Sequence, residues 1–276
     1  MLSRRLSLVF AAWVCVGAAT YLVSLRAQTS STEPNLSDDQ KQDFLLHAKV
    51  VNSKQLGKGI THPWRLTLSD GTVTHDAAFQ AVDEHKPVEH LASGDELNFV
   101  DSYHYDIAGY ELAKLLGLDN MVPVTVERRW RGEPGALSWW IPWKYDEEMR
   151  RAQNIEPPDT DAWNKQMYKI WVFDELIYDT DPNQTNILIT DDWKIWRIDF
   201  TRAFRLFHTI RHENNLQQCD RQLLESLRKL DYDQLLASTK GHLNKGEAKA
   251  VMARRDKIVD YFQKLAAQKG ESAVLY

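Results

Sequence analysis

Two acidic residues and one asparagine constrain this chain more than any other feature. Residues 170–205 read IWVFDELIYDTDPNQTNILITDDWKIWRIDFTRAFR, with Asp181 and Asn186 five apart and Asp199 thirteen beyond. Asn186 and Asp199 flank two short apolar runs, 187–189 and 195–198, with the turn formers Thr190, Asp191 and Asp192 between them. That pattern predicts a two-stranded hairpin. Closing it sets Asn186 and Asp199 side by side at the open end, just downstream of Asp181. A loop carboxylate to orient a hydroxyl, with an amide and a second carboxylate to hold magnesium on phosphates, is the polar set that phosphoryl transfer needs. The oxygens of residues 179–185 also fall at the odd positions of a calcium loop. Residues 179–192 contain neither the glycine nor the closing glutamate of an EF-hand, which excludes one. An Asx-rich turn without a ligand stays open as the plain alternative.

Composition narrows the remaining classes. At 276 residues, 43% hydrophobic and 26% charged, the chain has material for a sizeable core. A formal charge of −5 leaves no basic footprint, so nucleic acid is not an expected partner. Cys15 and Cys219 are too few for a disulfide framework and have no zinc-site spacing. His75, His104, His208 and His212 do not cluster at ligand spacing. Neither a G-x-x-x-x-G-K-[ST] phosphate loop nor a G-x-S-x-G nucleophile elbow is present. Arg4 and Arg5 precede an apolar run at 6–25, a length between a signal-peptide core and a membrane span. Residues 1–30 therefore read as a signal peptide or membrane anchor, and residues 31–43 as a polar tether. The arginine bias predicts a folded body exported from the cytoplasm, held to the membrane through 6–25 if uncleaved.

Residues 44–79 alternate as strands, with a glycine turn at Gly57-Lys58-Gly59 and a hairpin turn at Ser69-Asp70-Gly71. Residues 83–98 read as a loop. A helix is expected over 102–116, stopped by Gly117, then a strand at 122–126, a charged turn at 128–134 and a strand at 136–143 carrying Trp139, Trp140 and Trp143. Helices are expected at 145–151, 160–178, 217–230, 231–239 and 245–269. A strand-rich first half and a helix-rich second half predict an α+β architecture of two lobes, 44–143 and 144–276.

Three segments carry a family resemblance. Ala77-Ala78-Phe79-Gln80 is similar to a strand of the A-x-F-K type. Asp106-Ile107-Ala108-Gly109-Tyr110-Glu111-Leu112, with Leu115-Leu116-Gly117-Leu118 and Val122-Pro123-Val124, resembles E-[IV]-A-A-[FY]-x-L-D-[RK]-x-L-G-F…V-P-P. Residues 172–181, followed by Arg197-Ile198-Asp199-Phe200-Thr201-Arg202-Ala203-Phe204, resemble V-F-D-x-L-x-x-N-x-D-R-H…x-x-D-N-G-x-x-F. Order and spacing match the atypical branch of the protein-kinase-like fold, which holds the secretory-pathway casein kinases, the HipA-type kinases and the phosphatidylinositol 4-kinases.

That resemblance implies a kinase-like phosphotransferase that uses ATP with Mg2+ or Mn2+ and phosphorylates a hydroxyl of a protein, lipid or sugar. It implies Asp181 as the catalytic-loop acid, and Asn186 and Asp199 as the metal-holding pair. Gly57, Lys58 and Gly59 would cover the phosphates, Trp143 would stack on the base, and Asp106 would take the place of the helix glutamate. Gln80 stands where the family holds its phosphate-binding lysine. That substitution keeps two alternatives in view: a pseudokinase acting as a binding or regulatory module, and a scaffold domain whose polar loop is structural. Lys58 and Arg65 are the sequence's candidates for the displaced positive charge.

Overall fold

Leu66 and Leu68 alternate with polar neighbours, so a strand here buries one face. The computed structural model describes residues 34–57, 63–91 and 94–276 and places both leucines, fully buried, in a sheet. In chain order its first elements are α1 (Asp38–His47), β1 (Lys49–Gln55), β2 (Trp64–Ser69), β3 (Thr74–Gln80), β4 (Asp83–Leu91), β5 (Gly94–Ser102), α2 (His104–Leu116), β6 (Thr125–Trp130) and β7 (Glu133–Trp139). There follow β8 (Tyr145–Asp146), α3 (Glu147–Ala152), α4 (Thr160–Ile177), β9 (Ile187–Ile189), β10 (Ile195–Arg197), α5 (Arg221–Lys229), α6 (Tyr232–Ser238), α7 (Lys245–Lys269) and α8 (Glu271–Val274).

Five antiparallel strands in the order β1-β2-β3-β7-β6 form the main sheet. Leu66 pairs with Ala77 and Trp64 with Phe79 across β2 and β3, and Phe79 with Leu137 across β3 and β7. These apolar positions share one face and meet α1 and α2 through Phe44, Leu45 and Leu112. The helical half packs α4 against α7, and carries a three-stranded sheet in the order β10-β9-β8. The described residues, from 34 to 276, belong to one compact unit.

Several expectations need correction. The polar tether does not reach residue 43, because α1 begins at Asp38. Ser37 and Gln40 satisfy each other's backbone N–H in a capping box, and Phe44 and Leu45 are buried. The expected loop at 83–98 is a β-hairpin of β4 and β5, joined residue by residue from Asp83↔Ser102 to Leu91↔Gly94. Most of its side chains are exposed, so hydropathy never alternates. The charged turn at 128–134 is mostly strand. Only Arg131 (φ 51°) and Gly132 (φ 88°) turn, the two-residue geometry that suits the twist of a hairpin. Trp140 and Trp143 lie beyond β7, which ends at Trp139. The helices fare better: Gly117 closes α2 in the left-handed region (φ 72°), and α7 has the expected limits. The apolar run at 6–25 lies outside the described residues. Among those residues, no helix is long and apolar enough to cross a membrane.

Gly109 shows how tightly α2 abuts the segment after Asp199. A Cβ added there would stand 2.7 Å from Phe200 Cδ2. In an unconstrained helix Gly→Ala stabilises by about 1 kcal/mol. At Gly109 the overpacking term reverses the sign, and Gly109→Ala is expected to destabilise by about 1–3 kcal/mol. Denaturant unfolding measures this, and a stabilised variant would contradict the packing described.

Candidate active site

The short hairpin delivers what its sequence promises. Ile187 pairs with Arg197 and Ile189 with Ile195. The Ile198 N–H donates to the Asn186 carbonyl at 3.0 Å and closes the open end. Asn186 and Asp199 thus leave the hairpin together. Asp181 is fixed by its own backbone, whose N–H donates to Asp179 Oδ1 at 2.9 Å. Asp199 occupies the left-handed region (φ 62°), unusual for a residue with a Cβ and common at functional turns. Its Oδ1 accepts from the Thr201 hydroxyl at 3.1 Å. Asp106, on α2, accepts the Phe200 N–H at 2.7 Å, so the helix holds the backbone directly after Asp199.

Asp181, Asn186 and Asp199 open onto one cleft of about 1330 Å³. Gly57, Gln80, Asp106 and Trp143 line the same cleft. Lys58 and Gly59 lie outside the described residues. Trp143 lines the cleft and is 39% exposed. Arg65 does not carry the displaced charge. Its Nε donates to Asp76 at 2.7 Å, its guanidinium covers Trp140 at 4.3 Å, and it is not on the cleft.

Carboxylates dominate the floor of the cleft. Burial raises Asp199 to about 6, with Asp101 and Asp179 adding repulsion. Burial first, then Asp199, raises Asp106 well above the usual carboxylate range. Asp101 is raised by burial too, and its Oδ1 is buried with no hydrogen-bond partner among the described residues. Surplus negative charge with an orphaned oxygen suits a hard divalent cation, and the carboxylate of Asp199 with the amide oxygen of Asn186 is an oxygen donor set of that type. Among the described residues, no three His, Cys, Asp or Glu side chains form a ready-made cage. Two protein oxygens completed by water and phosphate is the arrangement magnesium favours.

Sequence reasoning missed Asp101 and the cleft-facing side of β4 and β5, because that segment read as loop. It also passed over Arg202, three residues beyond Asp199, which lines the cleft and puts Nη1 3.6 Å from Asp181 Oδ2. Its nearness to Asp199 in sequence was the available signal.

Asp199 generates a pH prediction. Its carboxyl is held above the ordinary value of 3.8 in the fold, so its contribution to stability is present at low pH and is lost as pH rises through about 6. Asp199→Asn removes the buried charge. The variant is expected to melt higher than wild type above pH 6, with the gap opening between about pH 4 and 6. Thermal melts across pH 4–8 check this, and a gap independent of pH would show that the carboxyl is not perturbed.

No protein-family model matches the sequence, and no curated protein matches it. Solved structures do. The fold is similar to that of a Golgi casein kinase, with a TM-score of 0.60 at 13% identity, covering 86% of this chain and 78% of the other. It is also similar to the Helicobacter pylori proinflammatory kinase CtkA, with a TM-score of 0.52 at 12% identity, covering 82% of this chain and 98% of the other. The chain has an atypical protein-kinase-like fold.

Proposed function

We propose that the chain is a kinase-like phosphotransferase. It binds ATP with Mg2+ or Mn2+ in the cleft and transfers the terminal phosphoryl group to a hydroxyl of a protein, lipid or sugar. The observation that carries this reading is the convergence of Asp181, Asn186 and Asp199 on a single cleft beneath a five-stranded sheet in a kinase-like fold. Asp181 orients the acceptor hydroxyl and takes its proton. Asn186 and Asp199 hold the divalent ion, which supplies charge neutralisation at the phosphates. Gly57 lies over the phosphates, with Gln80 and Asp106 beside them, and Trp143 stacks on the base. The folded body works outside the cytoplasm, exported or anchored through 6–25. A reporter fused after Tyr276 tests that placement.

Gln80 on the cleft favours a second reading, in which the same site binds nucleotide without turnover. An amide donates hydrogen bonds but brings no charge to a triphosphate.

Thermal shift and phosphoryl transfer separate the possibilities. Mg2+ with ATP is expected to raise the melting temperature of wild type, and Asp199→Ala to abolish that rise. Asp181→Asn is expected to keep the shift while radiolabel transfer to itself or to a casein acceptor falls about 10²–10⁴-fold. A shift without transfer in wild type selects the pseudokinase. Absence of any metal-dependent shift removes both nucleotide readings.

A further inference from the structure

Two arginines in this fold share one close carboxylate. Arg202 Nη2 lies 2.6 Å from Glu96 Oε2, and Arg205 Nη2 lies 2.6 Å from Glu96 Oε1. One carboxylate from β5 therefore faces two guanidinium groups, which also flank the Phe99 ring at 5.2 and 5.9 Å. The Nε of Arg202, and the Nε and Nη1 of Arg205, are buried and make no hydrogen bond among the described residues. A buried guanidinium with unused donors suits an anion, because each unmade hydrogen bond costs its desolvation.

Arg202 is the member of the pair on the cleft. Its backbone carbonyl accepts from the Thr180 N–H at 3.2 Å and the Thr180 hydroxyl at 2.9 Å, which ties it to the residue before Asp181. Its Nη1 stands 3.6 Å from Asp181 Oδ2, an ion-pair distance too long for a direct hydrogen bond. Among the described residues, the other cations lining the cleft are engaged differently. Lys86 lies 2.7 Å from Glu84 and 3.1 Å from Glu89, and Arg131 stacks on Trp64 and Trp130.

Resting on the nucleotide reading above, we propose that Arg202 is the cationic contact to the terminal phosphoryl group while it moves to the acceptor. In that step the acceptor oxygen forms a bond to the γ-phosphorus. The bond from that phosphorus to the bridging oxygen breaks, and its electron pair leaves on the β-phosphate of the diphosphate. The hydroxyl proton passes to Asp181. Arg202 keeps all its protons and donates from Nη1, the nitrogen beside Asp181, to a non-bridging oxygen. The positive charge absent at residue 80 is thus supplied from the opposite side of the cleft, and at the terminal phosphate.

The location makes the test specific. Calorimetry on the full chain with Mg2+ compares a non-hydrolysable imido analogue of ATP with ADP. Wild type is expected to favour the analogue. Arg202→Gln is expected to lose about tenfold of that preference with ADP affinity unchanged, and Arg202→Lys to restore part of it. Equal loss for both nucleotides, or no loss, overturns the proposal. Wild type binding neither nucleotide overturns the underlying reading, and the proposal with it. If circular dichroism shows that Arg202→Gln does not fold, Glu96→Gln decides. Releasing Arg202 from its carboxylate is expected to raise the preference for the analogue several-fold, and an unchanged or lowered preference overturns the proposal.

Discussion

The buried guanidinium of Arg197 is the interaction on which the site depends. Its side chain is withdrawn from water and shared between Asp174 on α4, at 3.1 Å, and Asp179, which are themselves nearly buried. It also donates to the carbonyl of Ile198. Taking three charges out of water is costly, and only close, saturated geometry offsets it. The balance shows strain of charge: burial raises Asp174 to about 7 even with the cation beside it. In return, one side chain locks the end of α4, the loop before Asp181 and the last strand of the hairpin. Asp179 spends its other oxygen on the Asp181 N–H. Asp181 and Asp199 are therefore placed by the same cation, one through Asp179 and the other through two residues of chain.

Backbone strain gathers in the same region. Tyr178, Asp199 and Phe204 all sit in the left-handed region, at φ 52°, 62° and 57°, though each carries a Cβ. Such conformations persist only where the surroundings over-determine them. Arg254 is one reason they can. It comes from α7, is fully buried, and donates to the carbonyls of Leu176 at 2.7 Å and Arg205 at 2.8 Å, and to that of Phe207. The end of α4 and the segment beyond Asp199 are thus clamped from behind, and the cleft side is left to polar side chains.

How much of this was legible follows from the range of each interaction. The hairpin of β9 and β10 was readable because strand periodicity, turn residues and length all lie within a few positions. The end of α2 was readable because Gly117 is a local signal. Nothing local marks β4 and β5, whose strands hold each other through backbone bonds while most of their side chains are exposed. Arg254 carries no local signal of its role, because a sequence does not say where unpaired carbonyls await a donor. The meeting of Asp101 with Asp199, and of Glu96 with Arg202 and Arg205, spans about a hundred residues and appears only when the chain closes. The site's core was local. Its charge balance was not.

That balance bears on how a nucleotide would be held. A lysine at residue 80 would meet a triphosphate with its own charge, whether or not a metal was present. With Gln80 there, and with Asp106 and Asp199 each raised by burial and by neighbouring carboxylates, the cleft by itself repels an anion before it binds one. Under the proposed function, the nucleotide then enters as its metal complex. The divalent ion offsets the acidic floor at Asp199 and Asn186, while Arg202, already placed by Thr180 and Glu96, faces the terminal phosphate. Metal and nucleotide become thermodynamically coupled, since each lowers the electrostatic cost of the other. The missing lysine is in this view a redistribution of charge: what one strand residue would provide alone is divided between a recruited cation and an arginine held by the hairpin of β4 and β5.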